Sequence, residues 1–221
     1  MNRRAMIKPA RPSTAFGIGL ALALACVLFG CSPDGQKSAE QPGAQQGTSD
    51  LTQAPLAGAA IGGPFTLVDK NSHTVRWSDF AGSYRIVYFG YTFCPDACPT
   101  DMGVAMRGLA IFAKNHPQRA DQIRPLFISI DPARDTPKVV GEFAAAFSPR
   151  LIGLTGTPAQ VDQAAKAFAA YYAHGKTTSG GYLMDHSRIA YLMGRQGEPI
   201  EMLPVDKGDA AVAADLEKWV R

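Results

Sequence analysis

The run Arg85-Ile86-Val87-Tyr88-Phe89-Gly90-Tyr91 narrows the possible folds more than any other stretch of this chain. Its β-branched and aromatic residues read as a buried strand, and it leads through FCPDACP into TDMGVAMRGLAIFAKN, which has helical spacing and stops before Pro117. The same alternation continues downstream. PLFISID predicts a second strand, TPKVVGEFAAAF a helix, LIGLTG a third strand and TPAQVDQAAKAFAAYYAH a further helix. RIAYLMG and EPIEMLP, joined by a Gly-containing turn, predict a hairpin, and DAAVAADLEKWV a final helix. A short hairpin is expected upstream in PFTLVDKNSHTVRWSDF.

Strands alternating with helices imply a central sheet with parallel strands and helices on both faces. Two further strands and a last helix are how thioredoxin-like folds end. The expected class is therefore α/β: a thioredoxin-like fold with a central mixed sheet flanked by helices. With 221 residues, 46% of them hydrophobic, the chain suits one globular domain plus extra segments. Its formal charge of +3 does not point to nucleic acid. Arg3, Arg4, Lys8 and Arg11 precede any acidic residue, and the remainder carries 18 basic against 19 acidic side chains. A nearly neutral body without a Lys/Arg stripe offers no footprint for DNA or RNA.

Residues 1–30 read as a signal peptide: a basic start, then the apolar run AFGIGLALALACVLFG, short for a bilayer crossing. Leu28-Phe29-Gly30-Cys31 resembles a lipobox, so lipidated Cys31 is the expected first residue of the mature chain; an uncleaved signal anchor would place the domain in the same compartment. Arg3-Arg4 also resembles a twin-arginine signal, which leaves the export route open. The expected location is the periplasmic face of a bacterial membrane, with the membrane reached through a lipid anchor or signal anchor. Residues 31–60, rich in Gln, Gly, Ser, Ala and Pro, read as a disordered tether. Residues 61–221 are assigned to the folded domain.

Cys94 and Cys98 frame the chemistry. The first is expected in the loop leaving the strand and the second at the start of the helix, where aligned peptide dipoles favour thiolate. The pair could serve as a redox couple, as metal ligands or as a structural disulfide. A loop so short constrains little of the unfolded chain, so a structural bridge would add little stability. Spacing of four also differs from C-x-x-C, and i, i+4 positions would put both sulfurs on one helical face.

A metal needs more than two sulfurs. Of the four histidines, His73, His116 and His174 are expected at turns or helix ends. His186, in LMDHSRIAYLMG, precedes a hairpin strand where thioredoxin-like reductases carry a proline, and no proline occurs between Pro158 and Pro199. That favours metal over thiol exchange.

YFGYTFCPDACPTDM, SIDPARDTP, FSPRLIGLTGT and MDHSRIAYLMG, in this order, resemble the Sco (SenC-like) copper proteins from about Phe65 to Trp219. The resemblance implies copper, as Cu(I) or Cu(II), on Cys94, Cys98 and His186. It also implies assembly of cytochrome c oxidase, by delivering copper to the subunit with the dinuclear copper centre or by keeping that centre's cysteines reduced. Another periplasmic copper chaperone or a thiol reductase would then be a further partner. The alternative function is a thiol-disulfide reductase with Cys94 and Cys98 as its redox pair. Around these residues, Asp185 is a candidate to bond the second imidazole nitrogen. Arg134, in the signature Asp131–Pro137, could bias the charge of the site but reads first as a surface ion-pair residue, and Thr136 as a helix N-cap. Met102 and Met106 continue the cysteine series in steps of four, which would align thioethers with the sulfurs, but read first as core.

Overall fold

The protein is described by a computed structural model covering residues 50–179 and 181–221. The expected signal segment, Cys31 and most of the tether lie outside the described residues. Residues 50–60, assigned above to the tether, form a 3-10 turn at Leu51–Gln53 and bury Ala54. The Leu56 N–H donates to the Ile200 carbonyl at 3.0 Å, so described structure begins ahead of Ile61.

The elements run β1 (Thr66–Val68), β2 (Thr74–Arg76), β3 (Tyr84–Gly90), α1 (Ala97–Asn115), α2 (Pro117–Ala120), β4 (Ile123–Ser129) and α3 (Pro137–Phe147). They continue with β5 (Ile152–Leu154), α4 (Pro158–Ala167), β6 (Tyr172–Thr178), β7 (Gly181–His186), β8 (Ala190–Met193), β9 (Pro199–Leu203) and α5 (Asp209–Trp219). Five strands form the central sheet in the order β5-β4-β3-β8-β9. β3, β4 and β5 are parallel; β8 runs antiparallel to β3, and β9 to β8. The architecture is α/β with a mixed sheet flanked by helices, as expected.

All seven residues of β3 are buried, as the middle strand of a covered sheet requires. Gly90 pairs with Ser129, so β3 and β4 end together and their following loops emerge side by side. Local sequence sets the helix starts. Thr136 accepts the Val139 N–H with Pro137 at the first helical position, and Thr157 with Gln160 closes a capping box on α4. α1 packs on α5 at Gly108, where a Cβ would lie 2.6 Å from Val212.

The helix expected through Tyr171-Tyr172-Ala173-His174 is shorter than its spacing suggests. Phe168 caps α4, buried against the rings of Phe65, Trp77, Phe89 and Tyr191. Ala169 then turns into left-handed backbone at φ 50°. Tyr172 begins β6, whose pairing with β7 puts Tyr172 opposite His186. The two form a ribbon separate from the five-stranded sheet.

Candidate metal centre

Cys94 lies in the loop between β3 and α1, and Cys98 in the first turn of α1. They do not share a helical face, because Cys94 precedes the helix. The loop instead folds the first sulfur over the helix end, where Cys94 Sγ accepts the backbone N–H of Cys98 at 3.3 Å. Asp96, in the N-cap position, makes no side-chain cap bond, so the sulfur takes a role usually filled by oxygen. Cys98 is wholly buried and Cys94 half-buried, and both are free thiols.

His186 ends β7 and brings its Nε2 to 3.3 Å from Cys98 Sγ. Its Nδ1 lies 3.0 Å from the Ser187 carbonyl, which can only accept, so the proton belongs on Nδ1 and the Nε2 lone pair faces the sulfurs. The ring packs edge-on against Tyr88 and Tyr91. This backbone bond replaces the role considered for Asp185, which is exposed and takes no part in holding the imidazole. One ligand atom each from Cys94, Cys98 and His186 lies within 4.8 Å of the others, the single such group found among the described residues. Bonds of about 2.0–2.3 Å to a common ion are compatible with that spread, and two sulfurs with an imidazole suit soft or borderline metals.

The helix end and the paired sulfurs divide the charge unequally. A hydrogen bond from the Cys98 thiol, helped by the N–H groups of Cys98 and Asp96, brings the Cys94 pKa down to about 3 against the effect of burial. Cys98 is pushed far up, first by sharing its proton with Cys94 and then by burial. The sulfur favoured as thiolate is therefore the one before the helix.

Several supporting residues escaped the sequence reading. Asp101, one turn beyond Cys98, is buried; it accepts two bonds from Arg188 at 3.0 and 2.7 Å and one from the Tyr88 hydroxyl at 2.8 Å. This ties the Cys98 helix to the segment just after His186. Burial raises the Tyr88 phenol, keeping it a donor. Gly90 leaves room for the site: a Cβ there would stand 2.9 Å from Cys98 Sγ. The available signal was position, since Asp101 follows Cys98 by three and Arg188 follows His186 by two.

The other candidates lie elsewhere. Met102 and Met106 are core residues, as expected. His73 sits beside Asp69, His116 bonds Glu217, and the His174 ring lies tilted against Tyr182. Arg134 does form an ion pair, with Asp131 at 2.5 Å, but not at the surface. Their side chains are only 20% and 3% exposed, because the loop after β4 tucks under the cysteine loop.

A family model described as SCO1/SenC matches residues 53–221. The chain belongs to the SCO1/SenC family. Rhodobacter capsulatus protein SenC is 45% identical over 137 residues, covering 62% of this chain and 60% of that protein. The human mitochondrial SCO1 homolog is 32% identical over 215 residues, 97% of this chain and 70% of its own length. Among solved structures, Bradyrhizobium japonicum ScoI with copper bound gives a TM-score of 0.65 at 36% identity, covering 72% of this chain and 99% of that one. Arabidopsis thaliana ScoI with copper bound gives 0.67 at 31%, covering 72% and 97%. These Sco neighbours bear out the thioredoxin-like fold.

Proposed function

We propose that this chain is a membrane-tethered copper chaperone that takes copper as cargo on Cys94, Cys98 and His186. It passes the metal to the dinuclear copper centre of cytochrome c oxidase, or prepares that centre. The observation that carries the reading is the donor set itself: two sulfurs and a lone-pair nitrogen within 4.8 Å, the nitrogen fixed by the Ser187 carbonyl. Copper-bound relatives and a family known in oxidase assembly and copper binding support it. The same reading puts the domain at the periplasmic face of the membrane, held by the N-terminal segment through lipidated Cys31 or a signal anchor. Among the described residues no helix is long and apolar enough to cross a membrane.

Copper stoichiometry of the purified chain, compared with Cys94→Ser, Cys98→Ser and His186→Ala, tests the assignment. The expected result is near-complete loss in the cysteine variants and stronger loss of Cu(II) than of Cu(I) without the imidazole, because Cu(II) favours nitrogen alongside sulfur. Full loading of either cysteine variant would sink the site.

One observation favours a second reading, a thiol-disulfide reductase. Cys94 is half-exposed with a depressed pKa, as an attacking thiolate should be, and Cys98 is buried beside it, as a resolving thiol should be. Cys94 would attack a substrate disulfide, and Cys98, losing its proton, would close the Cys94–Cys98 disulfide and release a dithiol. Oxidase assembly that survives His186→Ala but fails with either cysteine variant at any copper supply would select this reading.

A further inference from the structure

The segment Asp131–Pro137 supplies none of the three donors, yet its side chains hold the two residues immediately before Cys94. Asp135, fully buried, accepts the Thr92 N–H at 3.0 Å, the Thr92 hydroxyl at 2.5 Å and the Ser129 hydroxyl at 2.6 Å. The Arg134 guanidinium lies 4.9 Å from the Phe93 ring on the cysteine loop. It lies 3.7 Å from the ring of Tyr182 on β7, four residues before His186. Its Nη1 donates to the Tyr182 carbonyl at 2.8 Å and its Nε to Asp131 at 2.5 Å, while the Tyr182 hydroxyl donates to the other Asp131 oxygen at 2.7 Å. One cation thus touches the loop that carries Cys94 and the ribbon that carries His186.

The three donors differ in what else holds them. Cys98 is packed into the core on α1, and the His186 ring stands against Tyr88 and Tyr91. Cys94 sits on a loop whose next-door Phe93 is 53% exposed. We propose that Arg134, backed by Asp131 and Asp135, is a positioning residue that sets the separation of Cys94 from His186 and thereby favours the three-donor form of copper. This deepens the chaperone reading and rests on it. Two thiolates alone satisfy Cu(I), whereas Cu(II) draws on the nitrogen together with both sulfurs, so a loosened loop penalises Cu(II) more.

The test uses the purified full chain. Arg134→Met alone would leave the Asp131 carboxylate buried without its cation, so it is paired with Asp131→Asn, and Arg134→Lys keeps the charge without the planar fork. Cu(II) affinity and the sulfur-to-copper charge-transfer band, Cu(I) affinity by chelator competition, and the melting temperature are measured. The double variant is expected to stay folded, lose about 10- to 100-fold in Cu(II) affinity with a shifted band, and lose less than about threefold for Cu(I). The lysine variant should fall between it and the parent, and it decides the matter if the double variant does not fold. An unchanged Cu(II) affinity and band, or equal losses for both ions, overturns the proposal. If the parent chain binds no copper, the chaperone reading falls instead. The alkylation rate of Cys94 in metal-free protein then decides: faster in the variants supports the positioning role, and unchanged rejects it.

Discussion

Cys94 and Cys98 stand four residues apart and occupy different surroundings. Cys98 is sealed in the core, its sulfur placed by α1, by the missing Cβ of Gly90 and by the fit of Tyr88. Cys94 is half-exposed, placed by a loop that borrows its rigidity from the neighbouring loop through Thr92 and Asp135. The pair is therefore asymmetric by construction. One sulfur is as fixed as the sheet, and the other is as fixed as a few side-chain contacts. Their protons follow suit, with the exposed sulfur the thiolate and the sealed one the thiol.

Closing the pair into a disulfide erases this asymmetry and should abolish copper uptake, because both sulfurs must be free thiolates to bind. Equal copper binding by reduced and fully oxidised protein would contradict the shared site. Next come changes on the core side. Asp101→Asn removes the charge that accepts one buried and two part-buried bonds, and since Arg188 is itself 54% exposed, a loss of about 1–3 kcal/mol is expected in urea denaturation. Gly90→Ala, forcing a Cβ against Cys98 Sγ, should cost about 1–3 kcal/mol and lower copper affinity as well. The two sulfurs should respond differently. Cys98→Ser should cost about 1 kcal/mol for the gap it leaves in the core, at any pH. Cys94→Ser leaves no such gap; its cost comes from the lost thiolate and should shrink as pH falls toward that thiol's pKa of about 3. A cost for Cys94→Ser that does not fall with pH would reverse the assignment of roles.

The smallest expected effect is a near-absence of pH dependence. A thiol whose pKa is lowered to about 3 is ionised at every pH above that value, so protonation does not begin until well into acid. Iodoacetamide labelling of Cys94 in the reduced, metal-free protein should therefore change little between about pH 8 and pH 5, where an ordinary thiol would slow by orders of magnitude. Cys98 should remain unlabelled throughout while the protein is folded.

The grouping of Cys94, Cys98 and His186 was legible in the sequence because cysteines and histidines are scarce there and only His186 stands before a hairpin strand. Most of the succession of strands and helices was legible too, and so was one helix start, since Thr136-Pro137 is a local signal that the structure uses as written. β6 was not, because Tyr171–His174 continue a helical spacing that only the packing of Phe168 interrupts. Arg134 and Asp101 read as ordinary charges because burial, which gives them their roles, arises only when distant loops meet.

The ribbon of β6 and β7 hydrogen-bonds as a two-stranded unit, with an irregularity between His174 and Thr177, and Ser187–Ile189 lead from it to β8. A two-stranded ribbon is marginally stable by itself, so this one depends on the contacts that hold it near the site, Arg134 at the Tyr182 carbonyl and Arg188 at Asp101. Amide exchange along β6 and β7 should accordingly outpace that of β3. If the chain carries copper as proposed, the imidazole is the donor that can move together with its whole strand, and its release would leave the ion on two sulfurs with an open flank. Under the chaperone proposal an acceptor's ligand could enter there before any sulfur lets go, and copper would change hands by stepwise exchange without passing through water.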